Sequence, residues 1–194
     1  MIRRPLHTAF TITISAFALS GCSLLATLED AQAIEEVINE LPDYTAATAG
    51  DIRDTGTAGF TGHLALGDTS SEFILADLAA TADYSTGNID GEASQIRLID
   101  GGAENPLSAV SESFSGSVDW TGSITGTTVA TSGNGTISAG GTDYTLDFTA
   151  NGDFYKNSED KLTMASETGV SGSLTPDGGS TIDYTDGAFY AAED

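Results

Sequence analysis

The stretch Phe114-Ser-Gly-Ser-Val-Asp-Trp-Thr-Gly-Ser-Ile124 alternates residue by residue. Phe114, Val118, Trp120 and Ile124 share one parity with Gly116 and Gly122, and Ser115, Ser117, Asp119, Thr121 and Ser123 share the other. Side chains two apart lie on the same face of an extended chain, so this segment reads as a β-strand with one oily face and one wet face. Working outward, Asp143–Thr149 repeats the pattern, with Tyr144, Leu146 and Phe148 against Asp143, Thr145 and Asp147. Ile74, Leu78 and Tyr84 oppose Asp77, Thr81 and Asp83, and Ile182 and Tyr184 oppose Asp183 and Thr185.

Turn chemistry separates these runs. Ser85-Thr-Gly-Asn88, Gly133-Asn-Gly135, Gly140-Gly141, Asn151-Gly152 and Pro176-Asp-Gly-Gly179 all suit tight reversals. About eight strands result, near 57–66, 73–84, 88–99, 113–124, 126–138, 142–150, 163–174 and 180–191. An even number of antiparallel strands joined by short turns predicts an all-β, eight-stranded up-and-down barrel, with a two-sheet sandwich as the rival. Eight staves enclose a space just wide enough for side chains or one small ligand, and Gly62, Ala76, Ala80, Gly116 and Gly122 suit its tight curvature. A membrane-spanning barrel would turn apolar residues outward, whereas one face of nearly every strand here is Thr, Ser or Asp.

The chain has 194 residues, enough for one domain of this size. It carries 29 acidic against 6 basic residues, for a formal charge of −23. That balance opposes nucleic-acid binding, which needs Lys and Arg against phosphates. It suits either salty surroundings or a basic partner protein.

The N-terminus reads as an address. Arg3 and Arg4 precede an uncharged run, Ala9–Leu19, too short to span a bilayer as a helix. Leu19-Ser-Gly-Cys22 follows, and it resembles the bacterial lipobox, with cleavage after Gly21 and acylation of Cys22. By resemblance to enterobacterial sorting, Ser23 rather than Asp after the cysteine points to the outer membrane. A plain signal peptide containing a Cys is the alternative. Residues 1–21 are thus expected to be a signal peptide, 22–54 a lipid anchor, helix and linker, and 55–194 the barrel. In the linker Thr27-Leu-Glu-Asp30 makes a capping box, Leu28, Ala31, Ile34, Val37, Ile38 and Leu41 form an apolar stripe, and Pro42 stops the run. An amphipathic helix over Leu28–Leu41 is predicted, packing on the barrel or on a second copy.

Several short motifs in this order resemble the barrel domain of transferrin-binding protein B-like lipoproteins. Thr55-Gly-Thr-Ala-Gly-Phe-Thr-Gly62 is similar to the opening strand of that domain. Leu78–Gly91, with its Ala-Asp-Tyr, is similar to its second hairpin. Gly152-Asp-Phe-Tyr155, Gly169-Val-Ser-Gly172 and Gly187-Ala-Phe-Tyr190 resemble its closing pattern. Lys156 stands where the family has Gly, and the chain has room for one barrel and no handle domain. The resemblance implies a binding protein, with an extracellular protein or a haem-type nutrient as partner, and does not carry transferrin itself.

The inventory of reactive groups argues against an enzyme. His63 is the sole histidine beyond the leader, no Gly-x-Ser-x-Gly elbow occurs, and the one Cys is assigned to lipid. Alternation turns His63 outward, away from Phe60, Leu64 and Leu66. No cofactor or metal is expected; the acidic loop Asp153, Asn157, Glu159, Asp160 lacks calcium-loop spacing. Recognition is expected in the loops 100–112 and 151–162, the second carrying Phe154, Tyr155, Lys156 and Lys161. The alternative is an envelope protein whose barrel holds a small apolar ligand among Trp120, Tyr144 and Phe148, or partners another envelope component.

Overall fold

The computed structural model describes residues 44–67, 72–100, 110–157 and 161–194, together with Gln32 and Asn39, both helical and exposed. Gly21, Cys22, the remainder of the expected helix and loop residues 101–109 lie outside the described residues.

Twelve strands follow in order: β1 (Thr45–Ala46), β2 (Thr57–Gly67), β3 (Glu72–Asp83), β4 (Asn88–Asp100), β5 (Val110–Ser113), β6 (Val118–Thr125), β7 (Thr128–Ala139), β8 (Thr142–Lys156), β9 (Leu162–Ser166), β10 (Val170–Pro176), β11 (Ile182–Tyr184) and β12 (Asp186–Glu193). They make a closed, antiparallel, eight-stranded barrel. Three of the staves are interrupted. β5 and β6 form one, bent at Gly116 (φ 101°). β9 and β10 form the seventh, both pairing β8, and β11 and β12 form the last. β12 closes the ring against β2, from Asp186↔Gly67 to Glu193↔Phe60.

The parity of each strand is what fills the barrel. One inward row runs Phe60, Ala80, Gly91, Trp120, Gly133, Phe148, Gly172 and Tyr184 across successive staves. Large and small residues alternate for much of that row, because two rings on adjacent strands of so narrow a barrel would collide. The glycines are seats for the rings. A Cβ on Gly133 would stand 2.5 Å from Cε1 of Phe148, and one on Gly91 would stand 2.5 Å from Cε2 of Trp120. This explains why Gly133-Asn134-Gly135 and Asn151-Gly152 run through the middle of β7 and β8 and do not turn the chain. Among the described residues, tight turns fall instead at 84–87, 126–127, 140–141 and 177–178.

A second departure from simple alternation lies in β4. The register between β3 and β4 slips between Leu75 and Asp77, and Gln95 takes φ 51°. The extra residue of this bulge reverses the parity of the rest of the strand. Ile89, Gly91 and Ala93 face inward before it; Ile96 faces inward after it, and Arg97 and Ile99 face out. Ile182 also departs from expectation: it is exposed (40%) while Tyr184 is buried.

One mouth of the barrel is crossed by the segment leading into β2. β1 pairs Thr45 with Lys156 and Ala46 with Tyr155, and the N–H of Ala47 donates to the carbonyl of Phe154 at 3.0 Å. Asp51 ties the strap together. It accepts from the N–H of Thr48 (2.8 Å), from the Thr48 hydroxyl (2.7 Å) and from Nζ of Lys156 (3.1 Å). Arg53 follows, paired with Glu193 and lying 5.7 Å from the Tyr84 ring centroid. The Thr48 hydrogen bonds, with Lys156 adding to them, pull the Asp51 carboxyl from 3.8 down to about 2. A depressed carboxyl stabilises the fold above its unfolded value and loses that contribution as pH falls through its folded one. The strap is therefore expected to hold fully above pH 3.8 and to release as pH falls to about 2. Hydrogen exchange at Ala47 against pH measures this, and Asp51→Asn should abolish the step.

Candidate binding surface

The outer wall over β6, β7, β8, β10 and β11 is built of short polar side chains in two rows. One runs Asp119, Asn134, Asp147, Ser173, Asp183, and the other Thr121, Ser132, Thr149, Ser171, Thr185. They line an open depression of about 790 Å³. Each row follows from the alternation that sends Trp120, Phe148 and Tyr184 inward. Asn134 donates to Asp147, and the Thr149 and Ser171 hydroxyls lie 3.1 Å apart. Three carboxylates and no basic side chain face the depression. Such a surface can accept hydrogen bonds and attract ammonium or guanidinium groups.

Negative charge is also placed opposite negative charge. Glu92 pairs directly across from Asp119, and both are exposed. Like charges in such pairs destabilise a sheet, and added salt relieves them as the screening length falls from about 10 Å at 0.1 M to about 3 Å at 1 M. The thermal midpoint is expected to rise by several degrees over that range in NaCl, and Glu92→Gln should shrink the rise.

The second expected recognition loop is not a loop. Its residues 151–156 continue β8, which pairs with β9 from Asp153↔Ala165 to Lys156↔Leu162. Phe154 points into the core and is 1% exposed, its ring 6.1 Å from that of Phe60. Tyr155 takes the opposite, outer face; burial, then the charges of Asp153 and Glu167, raise its phenol above the usual value. Lys156 is turned to Asp51. Lys161 is exposed, and its carbonyl accepts the Asn157 N–H at 3.1 Å. The four side chains therefore do not gather into one aromatic and basic patch, because strand parity sends Phe154 and Tyr155 to opposite faces. Trp120 and Phe148 are core, and Tyr144 meets Phe114 edge-on at 5.2 Å.

His63 does face outward, but it is mostly covered. Its ring stands edge-on to Tyr190 at 5.6 Å, and its Nδ1 is 3.4 Å from Oδ1 of Asp77. Arg97 reaches the same oxygen at 3.1 Å. Beside this group lies a second apolar cluster on the outside of the barrel, Leu75 and Ile99 with Ala65, Phe73, Val110, Ala188 and Tyr190. The signal for it in the sequence is the unbroken run Phe73-Ile-Leu-Ala76, since a strand that is apolar at every position is covered on both faces. Nothing in the alternation of β4 marks Arg97, whose side was set by the bulge.

Compared with known proteins, the chain matches no family model and shows no significant similarity to any curated protein.

Proposed function

We propose that this protein is a lipid-anchored, non-enzymatic binding module of a bacterial outer membrane, with Cys22 carrying the acyl chains and the outside of a rigid barrel meeting an extracellular protein partner. The observation that carries this reading is the occupied interior. Trp120, Phe148, Phe154, Phe60, Tyr184 and Phe189 are all nearly fully buried and meet in one core. A barrel packed in this way serves as a scaffold, and recognition falls to its surface and loops. The acidic saddle then favours a partner presenting Lys and Arg. The motif order from Thr55 to Tyr190, similar to transferrin-binding protein B-like barrels, supports a binding role as well.

Photo-crosslinking residues placed at Asp147 and Asp183 in cells grown in their own medium test this directly. They are expected to trap one extracellular protein, and the same residue at the exposed Thr81 on β3 is expected to trap none. Saturable uptake of haem or of an apolar dye by the purified chain, altered in Trp120→Phe, would overturn it in favour of a ligand held inside the barrel. Cys22→Ser is expected to move the protein from the membrane to the soluble fraction.

A further inference from the structure

Among the described residues, four side chains that point out of the barrel are nevertheless buried: Leu75 (0%), Ile99 (5%), Thr163 (2%) and Ala165 (1%). Their parity is settled by their neighbours. Ile74 and Ala76 belong to the main core while Leu75 does not, and Leu162 and Met164 belong to it while Thr163 and Ala165 do not. The four mark a band across β9, β12, β2, β3 and β4, with Ala192, Tyr190 and Ala188 between. An outward side chain on a convex wall meets water unless another segment lies over it.

We infer that the band is the seat of the amphipathic segment Leu28–Leu41 of the same chain. Length agrees. From Thr163 to Leu75 is three strand steps around the wall and four residues along it, about 20 Å. Fourteen residues of helix span about 21 Å. Position agrees too. The described chain resumes at Tyr44, and Ala46 pairs Tyr155, whose other neighbour is Thr163. Only Pro42 and Asp43 intervene between the segment and that point. Orientation agrees as well. Gln32 and Asn39 are helical and exposed. Seven residues apart, they share one face of a helix; positions 34, 37 and 41 fall opposite, 31 and 38 lie on the flank, and 28 falls on the Gln32 side.

Charge opposes docking least on this stretch of wall. The segment contains Glu29, Asp30, Glu35, Glu36 and Glu40 and no basic residue. Most of the barrel would repel it. The band carries Arg97, paired there with Asp77, whereas Arg53, Lys156 and Lys161 sit at the mouth crossed by the strap. With Cys22 acylated, as proposed above, docking shortens the tether. A leash of 22–43, ending where the strap joins β8, becomes a stem of six residues, about 20 Å at full extension.

Hydroxyl-radical footprinting of the full acylated chain in detergent tests the seat. The variant Ile34→Asp with Ile38→Asp alters no barrel residue, so the barrel stays folded, which the near-ultraviolet signal of Trp120 reports. Labelling of Leu75, Ile99 and Tyr190 is expected to rise several-fold in that variant. Amide exchange over 28–41 is expected to accelerate roughly tenfold or more. Leu75→Asp should accelerate the same amides from the other side of the contact. Unchanged labelling in the helix variant would overturn the inference, as would a concentration-dependent dimer that the helix variant dissociates. Footprints from Cys22→Ser and from acylated protein are expected to match, so failure of acylation, read by mass of the Cys22 peptide, is seen separately from failure of docking.

Discussion

Trp120→Ala is expected to cost about 3–5 kcal/mol, the range for emptying a buried aromatic site. Trp120 is 2% exposed and packs at the middle of the inward row, seated on Gly91 and touching Gly133. Its strand neighbours on both sides are glycines, so no adjacent side chain can expand into the space. Collapse would require the barrel itself to narrow, which its strand number and hydrogen-bonded closure prevent. Against a typical domain stability of about 5–15 kcal/mol, this leaves a chain that unfolds at a much lower urea midpoint. Far-UV circular dichroism follows it, since the only tryptophan is gone. Trp120→Phe should cost far less. The indole N–H has no hydrogen-bond partner among the described residues, so its loss leaves no bond broken. A midpoint for Trp120→Ala within experimental error of the parent would show that the ring is not part of a close-packed core.

Gly62→Ala is expected to be comparably damaging through the opposite defect. Gly62 lies at the seam where β2 meets β12, opposite Ala191. A Cβ there would stand 2.1 Å from the carbonyl oxygen of Tyr190 and 2.7 Å from Cα of Ala191. Both are backbone atoms, so no rotamer change makes room; the two strands must part. Overpacking commonly costs about 1–3 kcal/mol where side chains can shift, and this site belongs at or above the top of that range. Because the seam joins the first stave to the last, its opening should appear as faster amide exchange in β12 with β3 and β4 little changed. Gly126→Ala is the control. Nothing lies within 4 Å of its Cβ, and only the backbone strain at φ 61° remains, about 1 kcal/mol. Equal midpoints for the two variants would place the seam elsewhere.

Both predictions rest on glycine used as space. Gly133-Asn-Gly135 and Asn151-Gly152 have the composition of turns, and local chemistry alone reads them so. What keeps them extended is Phe148 on the neighbouring strand, a partner that no window of sequence contains. The same holds for the expected loop at Phe154–Lys156. Its continuation of β8 depends on β9, which begins only at Leu162, and on β1 from the other end of the chain.

Order along the chain was enough for the period of two in Phe114–Ile124 and its repeats, which assigns most inward side chains, and for about eight staves; that these close into a barrel and do not split into a sandwich was settled by the pairing of β12 with β2. Burial of alternate residues is a local property, readable from order alone. The tertiary structure decided whatever depends on which strand lies beside which. It set the glycine seats for Trp120 and Phe148, the reversal of parity at Gln95 that turns Arg97 outward, and the assembly of Asp119, Asp147 and Asp183 into one acidic saddle. Those positions are distant along the chain, and only hydrogen-bonded register brings them together.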